Sequence, residues 1–600
     1  MEAAATGVEV NLSGEAARAP RGDKARELPT CDLVMKGGIT SGVVYPGAVI
    51  ALAHSFRFAA LGGTSAGAIA AGVCAAAEYG RLRDEEGGLV ELGAVSDDLA
   101  KEDFLAGLFQ ATPSGRSLMD LTLVPMSHPN DSAPRRAVRI AIAACRAVPA
   151  IALPALTVAL GLGLLTWGAF RGFPAPLAGA LTVVVALPLL ALVLALLVLG
   201  AVGWLVARAA RSLPDSNYGL CPGTHQPGYP SAQPALTDWL DERVQAAAGR
   251  PIGEWNEVLT VDDLRDCEIT LETMTTDLSR ARPLRCPADL ADYSFKPSEM
   301  RDVFPPHVVA RMVQPDPRAA APTADELQSG ELHPLDPERL PVLVAIRLSL
   351  SFPVLLSAVP VYLRDKNGGD ARRSLLSDGG IVSNFPVHFF DAWFPRWPTF
   401  GINLESHPGE TAKYVLMHGE DGASAHREID GLGAFGGQIK DTMQNWRDNL
   451  QAEMAGYKGR ICDVRFAEGE GGLSLKMQLP AIKTLMQRGY EAGRTLAAAL
   501  PMTPPGSPPT AEWTHHCLTR FEILMWLEQQ GLQTVAERSG DFLSELAGGK
   551  ITPGRGPWAG AASEQTLALL ACVKHWGPDG LVEFEHPDPP EPVMRVVPKA

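Results

Sequence analysis

Residues 63–67 read Gly-Thr-Ser-Ala-Gly, a G-x-S-x-G pattern that can carry a serine nucleophile. A short apolar run precedes the pattern, and small residues with helical spacing follow it. The sequence therefore predicts that Ser65 lies on a sharp turn from a strand into a helix. Gly63 and Gly67 suit that turn, because the serine backbone is strained and other backbone segments pass close by. The pattern also occurs on ordinary strand–turn–helix units, so it makes Ser65 only a candidate.

A second glycine-rich turn lies upstream, at residues 36–42. A predicted strand over residues 31–35 precedes it, and a predicted helix over residues 43–54 follows it. Such a turn presents backbone N–H groups to an anion, either a phosphate or a developing oxyanion. It matches neither of the usual nucleotide-binding signatures. Because the serine turn belongs to the next strand–helix unit, both turns are expected at one edge of a parallel sheet.

A third motif lies far downstream, where Ser-Asp-Gly-Gly at residues 377–380 follows an apolar pair. Asp-Gly-Gly alone is common in turns. With the glycine loop and the serine motif in this order, however, the chain resembles the patatin-like phospholipases. Residues 340–354 resemble the helix and Ser-Phe-Pro segment that precede the aspartate in that family, and residues 270–283 resemble the strand and turn before them.

The resemblance covers roughly residues 30–110 and 235–500. It implies an α/β fold, a three-layer α/β/α sandwich around a central, mostly parallel sheet. It also implies a catalytic dyad in which Ser65 attacks an ester carbonyl and Asp378 accepts the serine proton, with neither a metal nor a cofactor. Because an exposed aspartate is a weak base at neutral pH, the Asp378 site must be partly desolvated.

The family resemblance further implies an oxyanion hole in the glycine loop, formed by the backbone N–H groups of Gly37, Gly38 and Ile39. The loop departs from the D-G-G-G-x-R-G pattern of the family. Lys36 stands at the Asp position, Ile39 at the third Gly, and Ser41 at the Arg. The glycines expected to support the three motifs are Gly42, Gly63, Gly67, Gly379 and Gly380.

Two other functions fit the same residues. An α/β-hydrolase would add a histidine to the serine and an acid, and four of the histidines that follow Asp378 in the chain could serve. An inactive binding or scaffold protein on a hydrolase frame would fit the altered glycine loop. Acyl transfer to another lipid would use the same intermediate as hydrolysis. The histidines are His388, His407, His418 and His426.

Two long uncharged stretches, residues 149–170 and 177–207, lie between the serine and the aspartate. Each exceeds the roughly 20 residues that cross a bilayer, and only a short link separates them. They predict a transmembrane helical hairpin and an integral two-span membrane location, with the bilayer contacted through residues 149–207. Arginines outside both stretches place the catalytic parts in the cytoplasm by the positive-inside rule. A catalytic domain tethered to a bilayer would meet phospholipid or lysophospholipid esters at high effective concentration.

The net charge of −16, without a basic stripe, argues against nucleic acid as a partner. Nine scattered cysteines without a C-x-x-C pair favour a reducing compartment and no zinc site. The oligomeric state stays open. The predicted organisation is a disordered leader (1–29), a first catalytic part (30–134), the transmembrane hairpin (135–212), a second catalytic part (213–500) and a helical C-terminal region (501–600).

Overall fold

The computed structural model describes most of residues 10–127 and 174–547, with scattered positions at residues 135–170 and 561–571. Nothing is described at residues 39, 86, 102, 231, 366–368, 408–411, 421–428, 430, 468–469, 472–476 and 540.

The core of the fold is a large β-sheet. Its strands are β1 (Thr30–Met35), β2 (Arg57–Gly63), β4 (Thr270–Asp277), β5 (Arg282–Cys286), β6 (Tyr293–Phe295), β7 (His333–Pro334), β9 (Val359–Leu363), β10 (Arg372–Asp378), β11 (Thr399–Ser406), β12 (Val415–Met417) and β13 (Ile461–Phe466). A separate parallel pair joins β3 (Gly219–Cys221) to β8 (Val354–Leu356).

The large sheet has 11 strands in the order β12-β13-β11-β1-β2-β4-β10-β9-β6-β7, and β5 pairs with β4. Strands β13, β11, β1, β2 and β4 are parallel to their neighbours in this run. The remaining pairings are antiparallel. The prediction of a mostly parallel central sheet is therefore wrong, and the fold is a mixed α/β fold. The physical reason is connection length, since the strands beyond β4 include pairs joined by short turns, as between β4 and β5, which permit only antiparallel pairing.

The helices pack around this sheet. They are α1 (Leu12–Arg18), α2 (Asp23–Arg26), α3 (Tyr45–Ala53), α4 (Ala66–Arg83), α5 (Leu89–Leu99), α6 (Phe104–Gly107), α7 (Arg116–Ser127), α8 (Ala175–Ser212), α9 (Leu236–Ala247), α10 (Val261–Arg265), α11 (Pro297–Met300), α12 (Pro306–Val313), α13 (Ala324–Leu327), α14 (Val342–Leu350), α15 (Leu432–Glu453), α16 (Leu479–Ala499), α17 (Ala511–Arg538) and α18 (Phe542–Ala547).

Strand β1 shows how both faces of the sheet are buried. Leu33 and Met35 belong to the main apolar cluster, which also takes in residues of α3, α4, α14 and α16. Val34 points to the other face and joins a smaller cluster with Phe385 and Ala452, the latter on α15. Because successive side chains of a strand point to opposite faces, β1 lies in the interior with apolar packing on each side.

The predicted transmembrane hairpin and the integral two-span membrane location, with catalytic parts facing the cytoplasm, are wrong. No helix formed by the described residues combines the length and the apolar character needed to cross a membrane. Most of the first uncharged stretch, residues 149–170, lies outside the described residues. The second stretch lies in α8, where Ala201, Leu205 and Ala209 are buried in the protein. Part of its apolar character is therefore explained by packing within the chain.

Two short helices, α1 and α2, lie within residues 1–29, the segment predicted to be a disordered leader. Helix α1 is capped by Asn11, whose side chain accepts a hydrogen bond from the Gly14 N–H. Leu12 and Ala16 are buried one helical turn apart, and Ala25 of α2 is buried as well. This small apolar face packs into the main cluster and fixes both helices.

Candidate active site

Ser65 occupies the turn between β2 and α4. Its backbone has φ 54° and ψ −125°, a conformation that residues other than glycine rarely adopt. The Ser65 N–H donates to Ser349 Oγ at 3.2 Å, which helps to hold the turn. The side chain is buried at the N-terminus of α4. A strained serine in this position matches the geometry expected of a nucleophile elbow.

The glycines around Ser65 are required by close backbone contacts. A Cβ atom added to Gly63 would lie 2.5 Å from the backbone of Gly67 and 2.6 Å from the Met35 carbonyl oxygen. A Cβ on Gly67 would overlap the same Met35 carbonyl. The ends of β1 and β2 pair in register, Met35 opposite Gly63. This pairing brings the glycine loop that follows β1 against the serine turn.

Asp378 ends β10 and faces Ser65 across the site. Its N–H donates to the Ser351 carbonyl at 3.0 Å, and its Oδ1 accepts from the Gly380 N–H at 2.7 Å. Its other oxygen, Oδ2, is buried and accepts no hydrogen bond of standard geometry within the described part of the chain. The Ser65 hydroxyl is nevertheless close enough to act on the carboxylate as a donor. This interaction joins the serine hydroxyl to the carboxylate that would accept its proton.

The pKa of the Asp378 carboxyl is shifted toward neutral pH, where a carboxylate is a more effective general base. Burial raises its pKa from 3.8 to about 6, against the opposing effects of the Ser65 hydroxyl, the Gly380 N–H and the positive charge of Lys440. The charged form is disfavoured because the surroundings are desolvated. At neutral pH the group is therefore ionised, yet basic enough to accept a proton.

The backbone N–H groups predicted to bind an oxyanion differ in their hydrogen-bond partners. The Gly37 N–H donates to the Asn384 carbonyl at 2.7 Å and is already engaged. Gly38 lines the cavity that contains Ser65. Its N–H finds no acceptor among the residues that the structure describes. Ile39 lies outside the described residues.

The remaining predicted glycines lie at close contacts of the same site. A Cβ on Gly42 would approach the Ala66 side chain to 3.2 Å, and a Cβ on Gly379 would overlap the Met274 carbonyl. A Cβ on Gly380 would lie 2.8 Å from Asp378 Oδ1. Ala66 is a further possible hydrogen-bond donor to an oxyanion that the sequence analysis did not name. It is the first residue of α4, so its N–H has no acceptor within the helix.

Lys36, at the position where the patatin-like family has Asp, is a buried cation at the edge of the site. Its Nζ donates to Asn403 Oδ1 at 2.8 Å. Burial lowers its pKa, and the nearby carboxylates of Glu405, Asp448, Asp463 and Asp441 oppose that shift. The lysine therefore remains surrounded by negative charge that stabilises its protonated form.

Asn384 is a positioning residue that sequence reasoning missed. Its carbonyl accepts from the Gly37 N–H and, at 2.9 Å, from Thr64 Oγ1, while its side-chain Nδ2 donates to the Gly37 carbonyl at 3.3 Å. It thus joins the glycine loop to the serine turn. The only signal in the sequence is a polar residue shortly after Asp-Gly-Gly and before Phe-Pro.

Asp448, on α15, was missed as well. Its carboxylate accepts hydrogen bonds from Ser383 Oγ at 2.9 Å, the Asn384 N–H at 2.6 Å and the Phe385 N–H at 2.8 Å. Burial raises its pKa, although these three donors oppose the shift. Helix α15 is therefore fastened to the segment that follows Asp378.

Two cavities lie near the start of α4, and Ser65 lines one of them. The first has a volume of about 640 Å³ and mixed polar and apolar walls, with Ser65 and Asp378 among the lining residues. The second is smaller, with a volume of about 80 Å³, and has mainly apolar walls that include Ala66 and Ala70 of α4. Phe352, from the Ser-Phe-Pro segment, lines both. Apolar walls of this kind are typical of a small-molecule site.

No described histidine lines the cavity around Ser65. His388 is buried elsewhere, and burial together with the nearby Arg447 and Arg285 lowers its pKa to about 4. His407 stacks on Tyr414. His426 lies outside the described residues.

One cluster of side chains has the types and spacing of metal ligands. Atoms of Glu405, His418 and Asp463 lie within 4.8 Å of one another. His418 Nδ1 is 2.9 Å from both Asp463 oxygens, and Asn403 Nδ2 donates to Glu405 at 2.8 Å and to Asp463 at 2.9 Å. The groups therefore satisfy one another, with Lys36 balancing part of their charge.

Comparisons with known proteins give one strong relative. No protein-family model matches the chain. A curated protein named "RpoH suppressor", from Rhizobium meliloti (strain 1021), is 35% identical over 546 residues, which is 78% of this chain and 82% of that protein. Among solved structures, VipD from Legionella pneumophila aligns over 92% of this chain and 81% of its own, with 12% identity and a TM-score of 0.27. A TM-score this low supports no argument about fold or function.

Proposed function

We propose that this chain, which belongs to the family of the Rhizobium meliloti RpoH suppressor, is a serine hydrolase of lipid acyl esters. The name of the relative states no enzymatic activity, so the proposal rests on the site. The observation that carries it is the pairing of Ser65, on a strained turn, with Asp378, a buried carboxyl whose pKa is about 6. Such a pair supplies a nucleophile and its base.

In the proposed reaction, Ser65 Oγ attacks the ester carbonyl while its proton passes to Asp378. The tetrahedral intermediate collapses, the alcohol leaves with the proton from Asp378, and an acyl-enzyme remains. Water then attacks the acyl carbon and gives its proton to Asp378. The bond between the acyl carbon and Ser65 Oγ then breaks, Asp378 returns the proton to Ser65 Oγ, and the fatty acid leaves. No histidine takes part in this sequence.

The oxyanion of the intermediate needs preorganised donors. Gly38 lines the same cavity as Ser65, and its N–H finds no acceptor within the described part of the chain; the first N–H groups of α4 point toward the serine turn. The positive end of the α4 dipole favours the negative charge as well. One donor of this kind typically contributes about 3–4 kcal/mol to catalysis. We propose Gly38 and Ala66 as the donors.

The substrate class follows from the two cavities. The mixed cavity holds the dyad, and the apolar cavity directly behind Ala66 suits a hydrocarbon chain. An ester with a polar head and a long acyl chain would fill both, with Phe352 between them. Phospholipids and lysophospholipids have this form. Acyl transfer would follow if an alcohol replaced water in the second step.

The test is acyl release from phospholipid vesicles by the wild-type protein and by Ser65→Ala and Asp378→Asn. Both variants should lose activity by at least about a thousandfold, because neither nucleophile nor base can be replaced. Matched control variants are Ser507→Ala and Asp316→Asn, which change exposed residues of the same types. Both controls should keep full activity.

The alternatives give different results. If Asp378→Asn remains active while Ser65→Ala does not, the base lies elsewhere, and replacement of each histidine in turn would identify a triad. If the wild-type protein neither releases fatty acid nor reacts with a fluorophosphonate, the proposal fails and an inactive scaffold becomes the better description.

A further inference from the structure

Helix α15 (Leu432–Glu453) carries a continuous apolar stripe that faces solvent. Six large apolar side chains recur every three or four residues and are 46% to 87% exposed. This spacing places all six on one side of the helix. The residues of the stripe are Leu432, Phe435, Ile439, Met443, Trp446 and Leu450.

Helix α15 packs against the rest of the protein through a different face from the one that carries the stripe. Asp448 and Ala452 are buried, and the Asp448 carboxylate accepts three hydrogen bonds from the segment after Asp378. Around the first turns of the helix there is open space, since a Cβ atom on Gly431, Gly436 or Gly437 would meet no atom within 4 Å. Within the described part of the chain, the stripe is therefore left without a packing partner.

The stripe adjoins the mouth of the cavity that contains the serine. Between the buried side of α15 and the stripe, the helix lines that cavity with polar residues such as Gln438, Asn445 and Asn449. Trp446 belongs to both the stripe and the cavity wall. A molecule entering the cavity along this edge would pass directly beside the apolar stripe.

The charges near the stripe indicate which kind of surface it fits. On α15, Lys440 and Arg447 are offset by Asp441, Asp448 and Glu453. The whole chain has a net charge of −16. There is thus no excess of positive charge to attract an anionic surface, and contact must depend on apolar side chains, with Trp and Phe suited to the interface of a bilayer.

We propose that the α15 stripe docks on the surface of a zwitterionic phospholipid bilayer and holds the mouth of the serine cavity against it. The helix lies in the interface and does not cross the bilayer. This proposal rests on the proposed function, because the lipid ester in the cavity is what favours a bilayer over a protein as the occupant.

The experiment compares three full-length proteins: wild type, a stripe variant (Leu432→Gln, Phe435→Gln, Met443→Gln) and a control variant (Ile252→Gln, Leu278→Gln, Leu332→Gln). The control changes exposed apolar residues away from α15. Binding is measured by co-sedimentation with phosphatidylcholine vesicles at low and high salt. Turnover of soluble p-nitrophenyl butyrate reports on the dyad without any bilayer.

We expect the wild type and the control to bind vesicles equally, with little effect of salt. The stripe variant should bind at least about tenfold more weakly, because binding scales with the apolar area inserted. All three proteins should hydrolyse the soluble ester at the same rate, since none of the altered residues lines the cavity. Acyl release from vesicles should fall in parallel with binding.

Equal vesicle binding by the stripe variant and the wild type would overturn the proposal. So would a wild-type protein that hydrolyses the soluble ester but does not bind vesicles, in which case the proposed function stands and the docking fails. A wild-type dimer that the stripe variant dissociates, without vesicle binding, would assign the stripe to a second copy of the chain and overturn it too. Stripe-dependent vesicle binding without ester turnover would support docking and refute the hydrolase.

Discussion

The Gly37 N–H donates to the Asn384 carbonyl at 2.7 Å, so the first glycine of the loop serves to fix the loop and not to bind an oxyanion. The Asn384 carbonyl also accepts from Thr64 Oγ1, next to the serine. One backbone oxygen therefore holds both halves of the site. The shape of the proposed oxyanion hole would therefore depend on a residue more than 300 positions away in the chain.

Gly37→Ala should displace the glycine loop. A Cβ atom there would overlap Asn384 Oδ1 and lie 3.0 Å from the Thr64 carbonyl oxygen. We expect kcat for a soluble ester to fall by about a hundredfold or more, because the oxyanion donors move, while KM changes less. Gly330→Ala is the control, since a Cβ on Gly330 meets no atom within 4 Å. An unchanged kcat would show that the loop does not set the donors.

Activity should rise with pH as the Asp378 carboxyl ionises, with a midpoint near its pKa of about 6. Lys440 lowers this pKa by its charge. Lys440→Gln should therefore move the acidic limb of kcat/KM to higher pH, and Lys440→Arg should leave it in place. The measurement is kcat/KM for a soluble ester across the range from about pH 4 to about pH 8. A limb that stays fixed in both variants would indicate a different base.

Asp378→Asn should stabilise the protein at neutral and alkaline pH. The pKa of the folded carboxyl is raised from 3.8 to about 6, so its contribution to stability is full below pH 3.8 and is lost as the pH rises through about 6. The amide carries no charge to bury. We expect the free energy of unfolding at high pH to increase by up to about 3 kcal/mol.

Urea denaturation at high pH and again near the ordinary pKa of an aspartate measures this effect. The variant and the wild type should differ at high pH and converge in acid. The exposed Asp316→Asn serves as the control and should change stability at neither pH. A variant that is less stable than the wild type at high pH would contradict the raised pKa.

Ala70→Phe should shorten the range of acyl chains that the protein accepts. Ala70 lies on α4 and lines the apolar cavity, so a phenyl ring there would occupy part of its volume. We expect kcat/KM for long-chain p-nitrophenyl esters to fall by about tenfold or more, with the acetate ester little affected. Ala324→Phe, at an exposed site, is the control. An equal loss for every chain length would argue that the cavity does not bind the acyl chain.

The parts of the site that could be predicted are those encoded by neighbouring residues. Ser65 is marked by the glycines that its own turn requires, and the glycine loop reaches it because β1 and β2 are adjacent parallel strands. Contacts between distant segments are not predicted by any local pattern in the sequence. Asn384 reaches Gly37 across 347 positions, and Lys36 reaches Asn403 across 367. Nothing near either pair in sequence specifies its partner.

The errors in the predicted fold have a similar origin. The resemblance to the patatin-like family implies a mostly parallel sheet, but the strands beyond β4 form antiparallel pairs. The uncharged stretch at residues 177–207 was interpreted by its composition alone. The burial of Ala201 and Leu205 depends on tertiary packing, which composition does not reveal.

The hydrogen bonds of Asp448 make the amide protons of Asn384 and Phe385 reporters of the attachment of α15. Both are donated to a carboxylate that belongs to this helix. We expect them to exchange with deuterated solvent when the C-terminal half of α15 separates from the segment after Asp378. Deuterium uptake at these two amides would therefore report how often this part of α15 separates from the segment. Slower uptake in the presence of vesicles would show that contact with a lipid surface restrains the segment beside Asp378.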